Sequence, residues 1–156
     1  YENNCDFNEY SYLFEIAQKE HIPYTIHAAE MGNGENILKA LKMKPSRIGH
    51  GINCIQKPEY LQAVVDSQIP SNLHTRAYTD PNTYPIKQFM NSGVLVTINT
   101  DNMFFDRTDL ANEHSQLRMI GISKEELQKC TLNALQAAFI DDDLRKELKD
   151  KLNFGN

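Results

Sequence analysis

The sequence of 156 residues lacks any apolar run long enough to cross a bilayer, and its first residues have neither the basic region nor the apolar core of a signal peptide. It also lacks an excess of positive charge, since its formal net charge is −5. These two absences argue against a membrane or a nucleic acid as the principal partner. They are compatible with a small neutral substrate.

Cysteine is scarce, because the chain has only Cys5, Cys54 and Cys130, an odd number without C-x-x-C spacing. This pattern excludes a C-x-x-C zinc site and predicts reduced thiols in a cytoplasmic protein. Cys54 and Cys130 are expected to be buried apolar groups rather than reactive thiols. The remaining composition is that of an ordinary globular protein, so one domain is expected. The first residue is Tyr1 rather than Met, which suggests a processed or truncated form.

Three apolar runs in the chain end in a histidine or an aspartate. They are Tyr-Thr-Ile-His-Ala-Ala-Glu at 24–30, Arg-Ile-Gly-His-Gly at 47–51 and Val-Leu-Val-Thr-Ile-Asn-Thr-Asp-Asn at 94–102. A lone histidine or aspartate after a strand is typical of turns and helix caps. Three such endings, each followed by a helical pattern, instead favour parallel strands that gather functional side chains at their C-terminal ends.

The hydrophobic pattern predicts an α/β fold with a parallel sheet and outer helices. Strands are predicted at 24–27, 47–50 and 94–100, and helices at 9–20, 37–41, 58–66, 85–91, 108–119, 123–139 and 141–152. The last strand alternates poorly, so it is expected to be buried on both faces. The strand expected at 68–72 is nearly absent, because that segment has one apolar residue and a proline. A polar loop at 72–84 follows it. Ser123 and Glu126 have the spacing of a helix capping box.

In their order and spacing, these motifs resemble the C-terminal half of the adenosine deaminase family of zinc hydrolases. The matching residues are Thr-Ile-His-Ala-Ala-Glu at 25–30, Arg-Ile-Gly-His-Gly at 47–51, Ser71-Asn72, Tyr84-Pro85, and Thr-Ile-Asn-Thr-Asp-Asn at 97–102. The resemblance implies the C-terminal half of a (β/α)₈ TIM barrel. Residues 1–156 would form one partial domain of barrel units five to eight and the C-terminal helices, with the N-terminal half absent.

The resemblance also implies zinc as cofactor and adenosine as substrate, hydrolysed to inosine and ammonia. His27 and Asp101 would be zinc ligands, and Asp101 would also contact the attacking water. His50 would orient and deprotonate that water, while Glu30, as a carboxylic acid, would protonate the purine ring at N1. A dry, apolar pocket would favour the protonated acid. Asn102 would face N7 of the purine, because its amide can donate to an acceptor nitrogen.

Three departures from the family pattern are visible in the sequence. The family's His-x-His pair of zinc ligands has no counterpart, since His21, His74 and His114 fall in a turn, a polar loop and a helix. The chain therefore has two of the four protein ligands that the resemblance requires. The segment around 69–72 is about half a dozen residues shorter than in relatives. Ala29 stands where the family has glycine, which adds a methyl group beside the site.

Other interpretations remain open. One is a catalytically incomplete half-barrel that only folds or binds a partner. Another is the deaminase of another adenine-type substrate, such as AMP or a modified base. His50 could be only a turn residue, Glu30 a helix cap, and Asp101-Asn102 an ordinary strand-to-helix cap. An open half-barrel would expose strand edges and core, so self-association or pairing with a missing N-terminal half is expected.

Overall fold

Four short parallel strands form the centre of the computed structural model, which describes residues 6–73 and 84–152. The strands are β1 (Thr25–Ala28), β2 (Arg47–His50), β3 (Ser71–Leu73) and β4 (Val96–Ile98). They form one sheet in the order β1-β2-β3-β4. Because neighbours along the chain are also neighbours in the sheet, every connection passes to the next strand in one direction, as in a segment of a (β/α)₈ barrel.

Helices connect the strands and make up most of the chain after β4. The helices are α1 (Ser11–Lys19), α2 (Asn36–Lys42), α3 (Pro58–Ser67), α4 (Ile86–Asn91), α5 (Met103–Asp106), α6 (Leu110–Met119), α7 (Lys124–Ala137) and α8 (Asp142–Lys151), with 3₁₀ turns at Phe7–Tyr10 and Ile52–Gln56. All seven predicted helices are confirmed, with ends that differ by a few residues. The one-turn helix α5 was not predicted, because four residues are too few to show a periodic pattern.

Local sequence signals set several helix ends. The capping box is confirmed: the Ser123 backbone N–H donates to Glu126 Oε2 at 2.7 Å, and the Glu126 N–H donates to Ser123 Oγ at 3.1 Å. Pro58 occupies the first turn of α3, where a missing N–H costs nothing. Gly93 follows α4 with φ of +88°, a conformation that lets the chain turn directly into β4.

The strand that the sequence pattern nearly lacked is present, although it has only three residues. Ser71 pairs with Ile48 of β2 and with Val96 of β4, so β3 joins the two halves of the sheet. The Ser71 side chain is fully buried, and its hydroxyl donates to the His50 carbonyl at 2.8 Å. This bond compensates the burial of a polar group, and so a central strand can form here without the apolar run that marks β4.

The core lies between the sheet and the helices that cover it. All three residues of β4 are buried, which confirms the prediction of burial on both faces. The strand residues Ile26, Ile48 and Val96 belong to one hydrophobic cluster with Ile37, Ala40, Val64, Phe89, Leu117 and Leu127 from helices α2, α3, α4, α6 and α7. Cys54 and Cys130 lie in the same cluster, and burial raises the pKa of their thiols to about 12 and about 11. Both thiols are therefore apolar core groups, as predicted.

We expect the substitution Phe89→Ala to lower the free energy of unfolding by about 3–5 kcal/mol, because it removes a fully buried ring from the centre of this core. Urea denaturation measures the loss. The matched control is Phe104→Ala, since Phe104 is 84% exposed and its truncation should change stability little. Equal losses in the two variants would contradict this description of the core.

The sheet has two edges, formed by β1 and β4, and large apolar side chains are exposed close to both. Met31, after β1, is 78% exposed, and Phe104 and Phe105, after β4, are 84% and 78% exposed. Strand edges and apolar patches of this kind favour association. Within the described ranges, no helix has both the length and the apolarity that a membrane crossing needs.

Self-association, or pairing with a missing N-terminal half, stays a prediction. We expect the purified chain to be larger than a monomer in light scattering at micromolar concentration. The double substitution Phe104→Ser and Phe105→Ser should shift the distribution toward monomer, because it removes the apolar patch beside β4. Met119→Ser, at an exposed position at the end of α6, is the control. A well-folded, monodisperse monomer would contradict the prediction.

Candidate functional site

Strands β1 and β2 bring the first two predicted site residues together at their C-terminal ends. The parallel register pairs His27 with Gly49 and Ala28 with His50. The imidazole rings of His27 and His50 meet edge to face, with their centres 4.8 Å apart. His50 is the last residue of β2 and is buried, whereas His27 is exposed at the open side of the sheet. His50 is therefore part of a side-chain cluster and not merely a turn residue.

Gly49 makes this contact possible, and sequence reasoning did not identify its role. A Cβ atom at position 49 would lie 2.4 Å from Cδ2 of His27 and 2.9 Å from its Cγ, well inside the van der Waals limit. Only glycine at this position leaves the His27 ring where it is. A glycine inside a strand is a recognised sign of such a close approach, so the signal was present in the sequence.

Glu30 joins the two histidines from the loop after β1. Its Oε2 lies 3.4 Å from Nε2 of His50, and the two side chains are 31% and 5% exposed. The carboxylate thus keeps contact with solvent. Glu30 does not cap the following helix, because α2 begins six residues later, at Asn36, with Glu35 at its N-cap.

Backbone hydrogen bonds fix the loop that carries Glu30. The Gly51 N–H donates to the Ala28 carbonyl at 2.9 Å, and the Asn53 N–H donates to the Ala29 carbonyl at 2.8 Å. The Asn53 side chain also donates to the Glu30 carbonyl at 2.8 Å. Asn53 therefore holds the backbone of Ala29 and Glu30 in place. It is a second residue whose role the sequence did not reveal. Its signal was weak, because a lone asparagine is common in turns.

The strand exits have an unusual backbone conformation. Ala29, His50 and Asp101 have φ of +54°, +64° and +50°, in the left-handed region that disfavours side chains other than glycine. Such strain typically occurs at functional sites. It also gives a physical reason for the family's glycine at position 29, since an alanine there has to accept an unfavourable conformation.

We expect Ala29→Gly to stabilise the fold by about 0.5–1 kcal/mol, because the left-handed backbone costs an L-residue about 1–2 kcal/mol and the lost methyl packing offsets part of that gain. The control is Ala28→Gly at the neighbouring position, which is equally buried but lies in β1. That variant should lose about 0.5–1 kcal/mol. Thermal unfolding of both proteins compares them, and destabilisation by Ala29→Gly would contradict the strain.

A pocket of about 470 Å³ opens over these strand ends. His27, His50 and Asp101 all line it, so the structure brings three of the predicted site residues to one cavity. The other lining residues are Gly49, Ile98, Asn99, Thr100, Met103 and Leu110. Asp101 is exposed in the segment that follows β4, and it does not belong to the tighter group of donor atoms described next.

Three side chains in this region could hold a metal ion. One ligand atom from each of His27, Glu30 and His50 lies within 4.8 Å of the others. Imidazole nitrogen and carboxylate oxygen are ordinary ligands of zinc, so the donor chemistry fits the implied cofactor. Of the other histidines, His21 is in the turn after α1 and His114 is in α6, and His74 lies outside the described residues.

Asn102 serves as the N-cap of α5, as the alternative interpretation proposed. Its side-chain oxygen accepts a hydrogen bond from the Phe105 N–H at 3.3 Å. The bond uses the oxygen of the amide and leaves its nitrogen as the donor to a ring acceptor. Capping and the predicted contact with a purine are therefore compatible.

Comparison with solved structures defines the fold. The chain is similar to an adenine deaminase from Arthrobacter aurescens, with a TM-score of 0.83 and 23% identity over 90% of this chain and 46% of that one. It is also similar to a zinc-bound amidohydrolase from Burkholderia ambifaria, with a TM-score of 0.86 and 18% identity over 96% and 44% of the two chains. The predicted fold is confirmed: these four strands and their outer helices are half of a (β/α)₈ barrel.

Comparison of sequences defines the family. Residues 2–154 match the family model described as adenosine deaminase. The chain is 34% identical to the adenosine deaminase of Enterococcus faecalis over 97% of its own length, and 36% identical to that of Clostridium botulinum over 93%. This protein belongs to the adenosine deaminase family. It spans about half the length of these relatives, 48% and 46% respectively.

Proposed function

We propose that the chain supplies the catalytic side chains of one half of a deaminase barrel, which hydrolyses adenosine to inosine and ammonia. The observation that supports this most directly is the contact between Glu30 and His50, 3.4 Å apart beside His27, at the edge of the pocket that Asp101 also lines. A carboxyl group and an imidazole at this distance can carry a proton between a bound water and a purine ring.

Zinc is the cofactor in this proposal. His27 and Asp101 would hold it, together with two further ligands from another chain segment, because the His-x-His pair of the family is missing here. Bound zinc lowers the pKa of a coordinated water to about 7 and so supplies hydroxide near neutral pH. The remaining steps depend on side chains of this chain.

His50 orients the water and accepts its proton. Its position suits this role, since it is held by the sheet register and by the bond from Ser71 to its carbonyl. Glu30 donates a proton to N1 while oxygen adds to C6 of the purine, so negative charge does not accumulate on the ring. His50 then returns its proton to the amino nitrogen, the C6–N6 bond breaks and ammonia leaves. The proton of the added hydroxyl passes back to Glu30, so the oxygen remains on C6 as the carbonyl of inosine. The Asn102 amide donates to N7 and orients the base.

We propose a nucleoside rather than a nucleotide as the substrate. Some structural relatives are described as deaminases of N6-methyl-AMP or as complexes with IMP, at 24% identity and TM-scores of 0.76–0.77. A phosphate group needs positive charge close by, typically arginine or lysine. Among the described residues, the pocket lining includes neither. Deamination of AMP or of a modified adenine is accordingly the second candidate.

A chimera tests the proposal: this chain replaces the matching 48% of the Enterococcus faecalis adenosine deaminase. Ultraviolet absorbance follows the conversion of adenosine, with AMP and N6-methyl-AMP as competing substrates, and metal content is determined on the same sample. We expect adenosine to be preferred. A folded, zinc-containing chimera that turns over none of these substrates would contradict the proposed function and favour a half-barrel that only folds or binds a partner.

In an active chimera, Glu30→Gln should lower kcat by about 10²–10⁴-fold, because the amide has no proton to give to N1. KM should change much less, since the substitution keeps the size of the side chain. Glu35→Gln is the matched control, at an exposed carboxylate whose side chain forms no capping bond to α2. Unchanged turnover in Glu30→Gln would exclude Glu30 as the acid.

A further inference from the structure

The spacing of Glu30 and His50 is compatible with two ligands on one metal ion. In a tetrahedral zinc site with bonds of about 2.0–2.1 Å, two ligand atoms lie about 3.3–3.4 Å apart. Glu30 Oε2 and His50 Nε2 are 3.4 Å apart. A donor nitrogen of His27 completes the set. The three ligand atoms lie within 4.8 Å of one another, so they have to approach to about 3.4 Å when an ion binds.

The segments that carry the three donors are also held in place before any ion arrives. His27 and His50 stand on adjacent strands in fixed register, and Gly49 leaves the space that the His27 ring occupies. The bonds from Gly51 and Asn53 to the carbonyls of residues 28–30 fix the loop that carries Glu30. Because these contacts lie within β1, β2 and the segments directly after them, the donor set does not depend on the rest of a barrel.

Asp101 is placed differently. It follows β4, which is separated from β2 by β3, and it is not part of the group of donor atoms within 4.8 Å. Two sets of ligands are thus available to an ion, and both include His27. One uses Glu30 and His50, and the other uses Asp101 with ligands from outside this set.

We propose that the chain by itself binds one zinc-type divalent cation through His27, Glu30 and His50. The consequence for catalysis rests on the proposed function: an ion held in this way occupies the two groups that would move protons. This arrangement is therefore an inactive one. Before turnover, the ion has to move to the ligand set that contains His27 and Asp101. The segment that supplies the other two ligands of that set therefore also activates the enzyme.

Metal titration of the 156-residue chain tests this inference without an activity assay. We expect calorimetry with Zn²⁺ to give one ion per chain. Bound Co²⁺ should show the visible absorption that is typical of a low coordination number. Long-range proton–nitrogen NMR spectra should show the ring nitrogens of His27 and His50 shifting on addition of Zn²⁺. The ring signals of His21 and His114, which lie in a turn and in α6, should stay unchanged.

Three substitutions distinguish the two arrangements. Glu30→Gln should weaken Zn²⁺ binding by at least about tenfold, since loss even of an outer partner of a metal ligand typically costs 10–100-fold. Asp101→Asn and the control Glu35→Gln should leave the affinity unchanged. Glu30 is partly exposed, and thermal unfolding without metal verifies that each variant is folded.

Weaker binding in Asp101→Asn with normal binding in Glu30→Gln would overturn the inference, because the ion would then use the arrangement of the proposed function. A folded chain that binds no Zn²⁺, or that shifts the signals of His27 alone, would overturn it as well. Turnover by the chimera is a separate measurement, so an inactive chimera contradicts the proposed function and does not bear on the binding of Zn²⁺ by this chain.

Discussion

The in-register parallel pairing of β1 with β2 is the constraint on which the site depends. Pairing Ala28 with His50 brings the exits of both strands to the same edge of the sheet. It also places Gly49 opposite His27, where the absence of a side chain gives the imidazole its space. A shift of one residue would turn these side chains to the other face of the sheet. Strand pairing, and not any single side chain, therefore assembles the cluster.

The geometry at the strand exits is maintained at a local cost. The left-handed backbone at Ala29, His50 and Asp101 is unfavourable, and it persists because neighbouring bonds and packing determine it. Around Ala29 the stabilising contacts can be named: the bonds from Gly51 and Asn53 and complete burial of the alanine methyl. The left-handed conformation at Ala29 thus changes the direction of the chain after β1, and Glu30 lies next to His50.

The sheet explains why His27, Glu30 and His50 lie close together whereas Asp101 lies apart from them. His27, Glu30 and His50 come from two paired strands and the loops after them, so nearby hydrogen bonds hold their backbones close together. Asp101 follows the opposite edge strand and is exposed at the mouth of the pocket. In a half-barrel, contacts between adjacent strands are complete, whereas contacts across the barrel depend on a further layer of protein. The roles assigned to these residues in catalysis stay predictions.

The sequence by itself determined the fold class and most of the helices, because periodicity, caps and ordered motifs are local properties of the chain. The roles it assigns to the site residues stay predictions. It also predicted the buried state of β4 and of Cys54 and Cys130. It could not determine β3, whose buried Ser71 is stabilised by the carbonyl of His50, a residue of another strand. Only the tertiary structure revealed the roles of Gly49 and Asn53 and the 3.4 Å contact between Glu30 and His50. These features depend on the distance between segments far apart in sequence, which strand pairing sets and no local pattern records.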